Sequence, residues 1–208
     1  MLRPIYLQPG DKVALISPSG IATKEQLDAA CSLLTSWELE PVPGQHVLSR
    51  HGRLAGTDEE RLHDLQTALD AEDIRAIWCM AGDYGMLRIV QEADYSIFQG
   101  NPKWVIGMND ITVLHAKLHS LGIESLHAFM PSNYKNTSPK VVTQLRNFLF
   151  GIISSYAIPA HPFNRTGIVE TEMIGGMLQW VNNLHDTCIE RNTRGTILFI
   201  EDPSDDLY

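Results

Sequence analysis

Three apolar runs that lack polar alternation, "KVALI" from Lys12, "IRAIWCM" from Ile74 and "PKWVIG" from Pro102, are each followed by a loop and then by residues at helical spacing. This alternation narrows the fold more than any other feature of the chain. Strands buried on both faces read as continuous hydrophobic segments, and parallel strands need a crossover, usually helical, between them. The expected fold class is α/β, a Rossmann-like parallel sheet covered by helices on both faces.

The first run closes in Ser17-Pro18-Ser19-Gly20, after which Leu27, Ala30, Cys31, Leu34 and Trp37 mark one helix face. "EPVPGQHVL" is a candidate second strand. Thr57, with Glu60 three positions later, forms a capping box that opens a helix carrying Leu62, Leu65 and Leu69 on one side. The third strand leads through "AGDYG" into "MLRIVQEA", and the fourth into "DITVLHAKLHSLG", ended by Gly122. Sites in such sheets lie beyond the carboxyl ends of the strands, which singles out loops 17–20, 81–85 and 107–110. Residues 1–130 are therefore expected to form an N-terminal α/β domain and the polar, turn-rich 131–165 a linker. Residues 166–208, with a helix around "MLQWVNNLHD" and the strand "GTILFIED", are expected to be the truncated start of a β-rich C-terminal domain.

Charge and composition exclude several classes. A formal charge of −9, from 16 basic and 25 acidic residues, offers no footprint for nucleic acid or anionic lipid. No apolar run approaches the roughly 18 residues that cross a bilayer, and the charged pair Asp11-Lys12 precedes the first strand, so a cytoplasmic location is expected. Cys31, Cys79 and Cys188 are widely spaced in apolar settings and read as buried thiols. "GDYG" and "SPSG" belong to no phosphate-binding signature, and no cofactor is expected. His115 and His119 lie four apart on a helix, with His127 beyond, but no acidic third ligand stands at a telling distance and no metal is expected. Glu201-Asp202 ends a very apolar strand; a carboxylate there could orient a catalytic histidine or cap a turn.

The stretch "WVIGMNDIT" has the shape of a nucleophile elbow, a strand bending sharply into a helix with the residue two after the glycine at the apex. That residue is Asn109, which has neither hydroxyl nor thiol. Thr112, one turn further on, is expected to cap or pack.

Taken in order, "LAGTDEERLHDLQTALDAEDIRAIWCMAGDYGMLRIV", "PKWVIGMNDITVLHAKLHSLGIESLHAFMP", "MIGGMLQWV" and "RGTILFIEDPSDDLY" resemble the LD-carboxypeptidase family, peptidase S66. These are serine peptidases that trim murein tetrapeptides, and they include the microcin C immunity proteins. The resemblance runs through essentially all 208 residues. It implies a serine nucleophile at the elbow, a glutamate and a histidine from a C-terminal domain, backbone N–H groups for the oxyanion, and release of a terminal D-alanine. It also implies a murein peptide or related small peptide as partner, and a homodimer, since members commonly pair.

Position by position, the family's elbow of glycine, aromatic, serine and aspartate becomes Gly107, Met108, Asn109 and Asp110. Its Arg-Gly-Gly-Tyr-Gly loop becomes Ala81, Gly82, Asp83, Tyr84 and Gly85, which places Gly82, Asp83 and Asp110 at oxyanion or substrate-binding positions. Its Gly-Gly-Asn-Leu becomes Gly175, Gly176, Met177 and Leu178. Glu201 matches the triad glutamate, and the triad histidine, in a glycine-histidine segment well after it, has no counterpart before Tyr208. An amide is a very poor nucleophile, Asp83 adds negative charge, and the missing arginine removes a bidentate carboxylate clamp. The resemblance thus implies a family member that is inactive as it stands. The alternative is a non-catalytic module that binds a muropeptide or a protein, and a third is a catalytic histidine supplied by a separate chain.

Overall fold

The computed structural model describes residues 1–153, 155–190 and 192–202. The last part of the expected C-terminal unit, 203–208, lies outside the described residues. The elements run in chain order β1 (Lys12–Ile16), α1 (Lys24–Ser36), β2 (Glu40–Pro43), α2 (Asp58–Asp70), β3 (Ile74–Cys79), α3 (Met86–Ile89), α4 (Ser96–Gly100), β4 (Trp104–Gly107), α5 (Thr112–Ser120) and β5 (Leu126–His127), then α6 (Pro139–Leu149), β6 (Met173–Met177), α7 (Leu178–Asn183) and β7 (Ile197–Glu201). A five-stranded sheet has the order β2-β1-β3-β4-β5, and every pairing in it is parallel.

The lack of polar alternation in the strands now has its reason. Successive residues of a strand point to opposite faces. Val13, Leu15, Ala76, Trp78, Trp104 and Ile106 enter one core with α1 and α6, through Leu27, Leu34, Leu145 and Leu149. The residues between them, Ala14, Ile16, Ile77, Cys79 and Val105, enter a second core with α2, α4 and α5, through Leu65, Leu69, Phe98, Val113 and Leu118. Each strand is thus apolar on both sides because both sides are covered.

Caps set the helix starts. Thr57 accepts from the Glu60 N–H at 3.2 Å while Glu60 Oε2 accepts from the Thr57 N–H at 2.8 Å, the expected capping box. Thr23 and Gln26 repeat the device at α1. Gly122, at φ +76°, follows the end of α5. The expected second strand is cut to Glu40–Pro43, because the chain turns over 45–48 after Gly44. The expected helix "MLRIVQEA" is only one turn, α3, and β5 is so short that no periodicity announces it. Cys31 is half-buried, Cys79 buried and Cys188 exposed, so the expectation of buried thiols fails at Cys188, which lies on the surface after α7. No helix among the described residues is long and apolar enough to cross a membrane.

Chain order and sheet order disagree at one place. From β1 the chain moves outward to β2 and then returns past β1 to β3, β4 and β5. In open α/β sheets, such a reversal opens a crevice at the carboxyl ends of the two diverging strands, here β1 and β3. The candidate site lies there. Beyond it, β6 and β7 pair in parallel as a separate two-stranded sheet, with Met177 opposite Glu201.

Candidate active site

The three loops expected to gather at the carboxyl ends of the strands are in contact. A Cβ on Gly20 would come within 2.6 Å of the Gly82 carbonyl oxygen, and one on Gly82 within 2.8 Å of Asn109 Cβ. Side chains at those two positions would push the loops apart. β4 ends at Gly107, and Asn109 to Ile111 form a 3-10 turn that opens α5. Asn109 sits at φ +62°, the left-handed region that non-glycine residues seldom occupy and that asparagine tolerates better than most. Position 109 therefore has the strained backbone of an elbow apex. Its side chain is half-buried, and Oδ1 accepts a hydrogen bond from Trp180 Nε1 at 3.1 Å.

Asp110 organises the loops and does not face solvent. It is wholly buried, and its carboxylate accepts from the Ser19 hydroxyl, the Asp83 N–H at 3.2 Å and the Met86 N–H at 3.1 Å. Burial pushes its carboxyl above the ordinary carboxylate range, against the downward pull of these three donors. Arg61, also buried, donates from Nη1 to the carbonyls of Pro18 (2.6 Å) and Gly85 (2.9 Å) and pairs with Asp58. It fastens the first and second loops from the α2 side. Below the elbow, His115 bridges the Gly107 carbonyl (Nε2, 3.0 Å) and Ser125 Oγ (Nδ1, 2.8 Å), and burial pushes its pKa down to about 4. The carbonyl can only accept, so the proton of the neutral ring sits on Nε2.

Asn109 opens on a cleft of about 350 Å³ lined by Arg53, Leu54, Asp83, Tyr84, Met177, Gln179 and Trp180. Asp83 is exposed at its edge, and its carboxylate lies 3.3 Å from the Arg53 guanidinium, which offsets the charge that the loop sequence introduces. The Asp83 N–H is committed to Asp110. Tyr84 lies against Trp180, with ring centroids 6.1 Å apart. Among these lining residues there is no serine, threonine, cysteine or histidine. Thr112 is buried and accepts from the Met177 N–H at 3.3 Å, so its hydroxyl serves packing between α5 and β6.

Glu201 is placed elsewhere. Its Oε1 lies 2.7 Å from His127 Nε2. His127, opposite Gly107 in the sheet, lines a second and larger cavity of about 1370 Å³ together with His115, His119 and Phe199. That cavity does not include Asn109. Volume alone would favour it; the elbow apex and the meeting of the three loops make the smaller cleft the candidate site. The sequence reading missed Arg53 and Trp180 as cleft residues; both lie far from the elbow in the chain, and Trp180 sits inside "MIGGMLQWV" with no sign there that its ring reaches Asn109. It also missed the His127–Glu201 pair, although a histidine and a glutamate each ending an apolar segment offered a faint signal.

Known proteins are similar to this chain in both sequence and fold. Residues 13–128 match the LD-carboxypeptidase N-terminal domain. A Streptomyces coelicolor protein is 33% identical over 222 residues, covering all of this chain and 70% of its own length. A Bacillus subtilis protein bearing the name probable murein peptide carboxypeptidase is 31% identical, covering 99% of this chain and 66% of its own length. The murein tetrapeptide carboxypeptidase of Pseudomonas aeruginosa is 38% identical over 122 residues, 58% of this chain and 40% of that protein. The chain thus spans 66 to 70% of the length of the first two. In fold it superimposes on MccF in complex with glutamyl sulfamoyl guanosine with a TM-score of 0.83 at 22% identity, over 96% of this chain and 70% of that one. The muramoyltetrapeptide carboxypeptidase of Oxalobacter formigenes gives 0.80 at 24% identity, over 92% and 65%.

Proposed function

The chain belongs to the LD-carboxypeptidase family, and on that premise we propose that it keeps the family's peptide cleft but forms no acyl-enzyme, so that it holds a murein-type peptide without cutting it. One observation carries this reading. The elbow apex, held at φ +62°, bears the amide of Asn109 where the family's chemistry needs a hydroxyl. An amide does not become a competent nucleophile beside a base, and no histidine lines this cleft.

The remaining groups suit recognition. The Arg53 guanidinium at the cleft edge is a donor for a peptide carboxylate, and Gln179 offers both a donor and an acceptor. The tilted pair Tyr84–Trp180 supplies an apolar wall. Glu201, in the family's triad position, contacts His127 instead of a base directed at residue 109. Serine alone would therefore lack an activating partner. The reading extends to a cytoplasmic protein in murein recycling, as the family chemistry implies.

Two measurements test it. Incubation with a murein tetrapeptide is expected to release no D-alanine above a buffer blank, for both the natural chain and Asn109→Ser. Turnover that survives Asn109→Ala would overturn the reading by locating catalysis elsewhere. Calorimetric titration with the same tetrapeptide is expected to saturate and to weaken in Arg53→Ala, and a flat titration would remove the binding half.

A further inference from the structure

Three potential metal donors converge where the turn after β2 meets α2, with Glu60 beside them. The turn after β2 carries His46, and the first two turns of α2 carry Glu60, His63 and Asp64. Donor atoms of His46, His63 and Asp64 all lie within 4.8 Å of one another. His63 Nδ1 lies 3.4 Å from Asp64 Oδ1, and the neighbouring Glu60 places Oε1 3.5 Å from His46 Nδ1. These distances are long for charge-assisted hydrogen bonds, which run about 2.7–2.9 Å. They match the edge of a tetrahedron: ligands about 2.0–2.2 Å from a zinc-like ion stand about 3.4 Å apart.

The carboxylates are already positioned by other contacts. Asp64 is buried, and Oδ2 is taken by the His46 N–H at 2.8 Å, which leaves Oδ1 turned to His63. Gly44 lets the turn close over that carboxylate, for a Cβ there would collide with Oδ2. Among the described residues, no lysine or arginine pairs with Asp64. Glu60 spends Oε2 on the capping box, which presents Oε1 to His46. A buried carboxylate facing imidazole nitrogens without a cationic partner is an arrangement that a divalent ion completes.

We propose that His46, His63 and Asp64 form a binding site for a zinc-like divalent transition ion, with Glu60 adjacent to His46. Two imidazoles and oxygen donors suit zinc, nickel or cobalt; calcium and magnesium, which take six or more oxygens, do not fit. Asn109 is not among the donors, so the ion's role is structural. It ties the turn at 45–48 to α2 at the root of the loop that delivers Arg53 and Leu54 to the cleft. This inference does not depend on the peptide-binding reading.

The test uses chelator-stripped protein in the His185→Ala background, which removes the exposed His185, Asp186 and Glu190 cluster as a competing site. Calorimetric titration with zinc chloride is expected to show one ion per chain. His63→Ala, at a half-exposed position that tolerates truncation, and separately His46→Ala are each expected to weaken it by at least about tenfold, since even outer-shell partners of metal ligands contribute about 10- to 100-fold. Cobalt in place of zinc is expected to give a visible absorption band that both variants lose, with far-UV circular dichroism unchanged. Unaltered zinc affinity in a folded His63→Ala or His46→Ala protein would overturn the proposal. So would the absence of any titration in the parent, or binding confined to protein that retains His185.

Discussion

In the five-stranded sheet Ile77, Trp78, Trp104 and Val105 are fully excluded from solvent, whereas in β7 Leu198, Phe199 and Ile200 remain 43, 39 and 46% exposed. Both sets are large and apolar; the difference is what covers them. Helices flank the first sheet on both faces, and among the described residues the β6–β7 pair has α5 against β6 and an open outer face. The elbow belongs to the covered sheet, and its strained backbone at Asn109 is held by a web of buried hydrogen bonds. Glu201 belongs to the open pair and reaches across to His127. Strain of about 1–3 kcal/mol at a functional bend persists only where the surroundings over-determine it, and the covered sheet supplies those surroundings.

Asp110→Ala should produce the largest effect, because three donors converge on one buried carboxylate. Removing it strands the Ser19 hydroxyl and two backbone N–H groups, and a loss of about 3–5 kcal/mol is expected from urea unfolding. A loss below about 1 kcal/mol would mean that the loops hold without it, and would dissolve the contrast between the two sheets.

A pH titration of stability sharpens the same contrast. His115 is neutral in the fold, with its pKa pushed down to about 4 from the ordinary 6.5. The unfolded chain therefore binds more protons between those values, so its contribution is complete above pH 6.5 and is lost as pH falls towards 4. The difference approaches roughly 3 kcal/mol at most. Urea midpoints of the natural chain should fall through that window more steeply than those of His115→Gln; equal slopes would show that another group carries the acid sensitivity.

The smallest effect is expected on the open pair. Ile200→Thr keeps a β-branched side chain at a largely exposed position and should change stability by no more than about 0.5 kcal/mol. A loss of several times that size would show that β7 is as well buried in solution as the central strands.

Residue order made much of the frame legible. The unbroken apolar strands announced two covered faces, Thr57 and Glu60 announced the start of α2, and "WVIGMND" announced the bend at Asn109. These signals are local, since a cap, a period or a turn is written in neighbouring residues. The two-residue β5, the one-turn α3 and α4, and the turn that shortens β2 left no comparable trace, because packing at a sheet edge or crossover defines them.

By itself the sequence determined the chemistry available at each place: an amide at the elbow apex, an acid in the loop after β3, a glutamate ending the last described strand. Only the tertiary structure decided what those groups touch. It buried Asp110 among three donors, set Arg53 against Asp83, brought Trp180 onto Asn109, turned Glu201 to His127, and gathered His46 with His63 and Asp64. Pairings between residues tens of positions apart depend on how helices and strands stack in three dimensions, and no spacing along the chain encodes that distance.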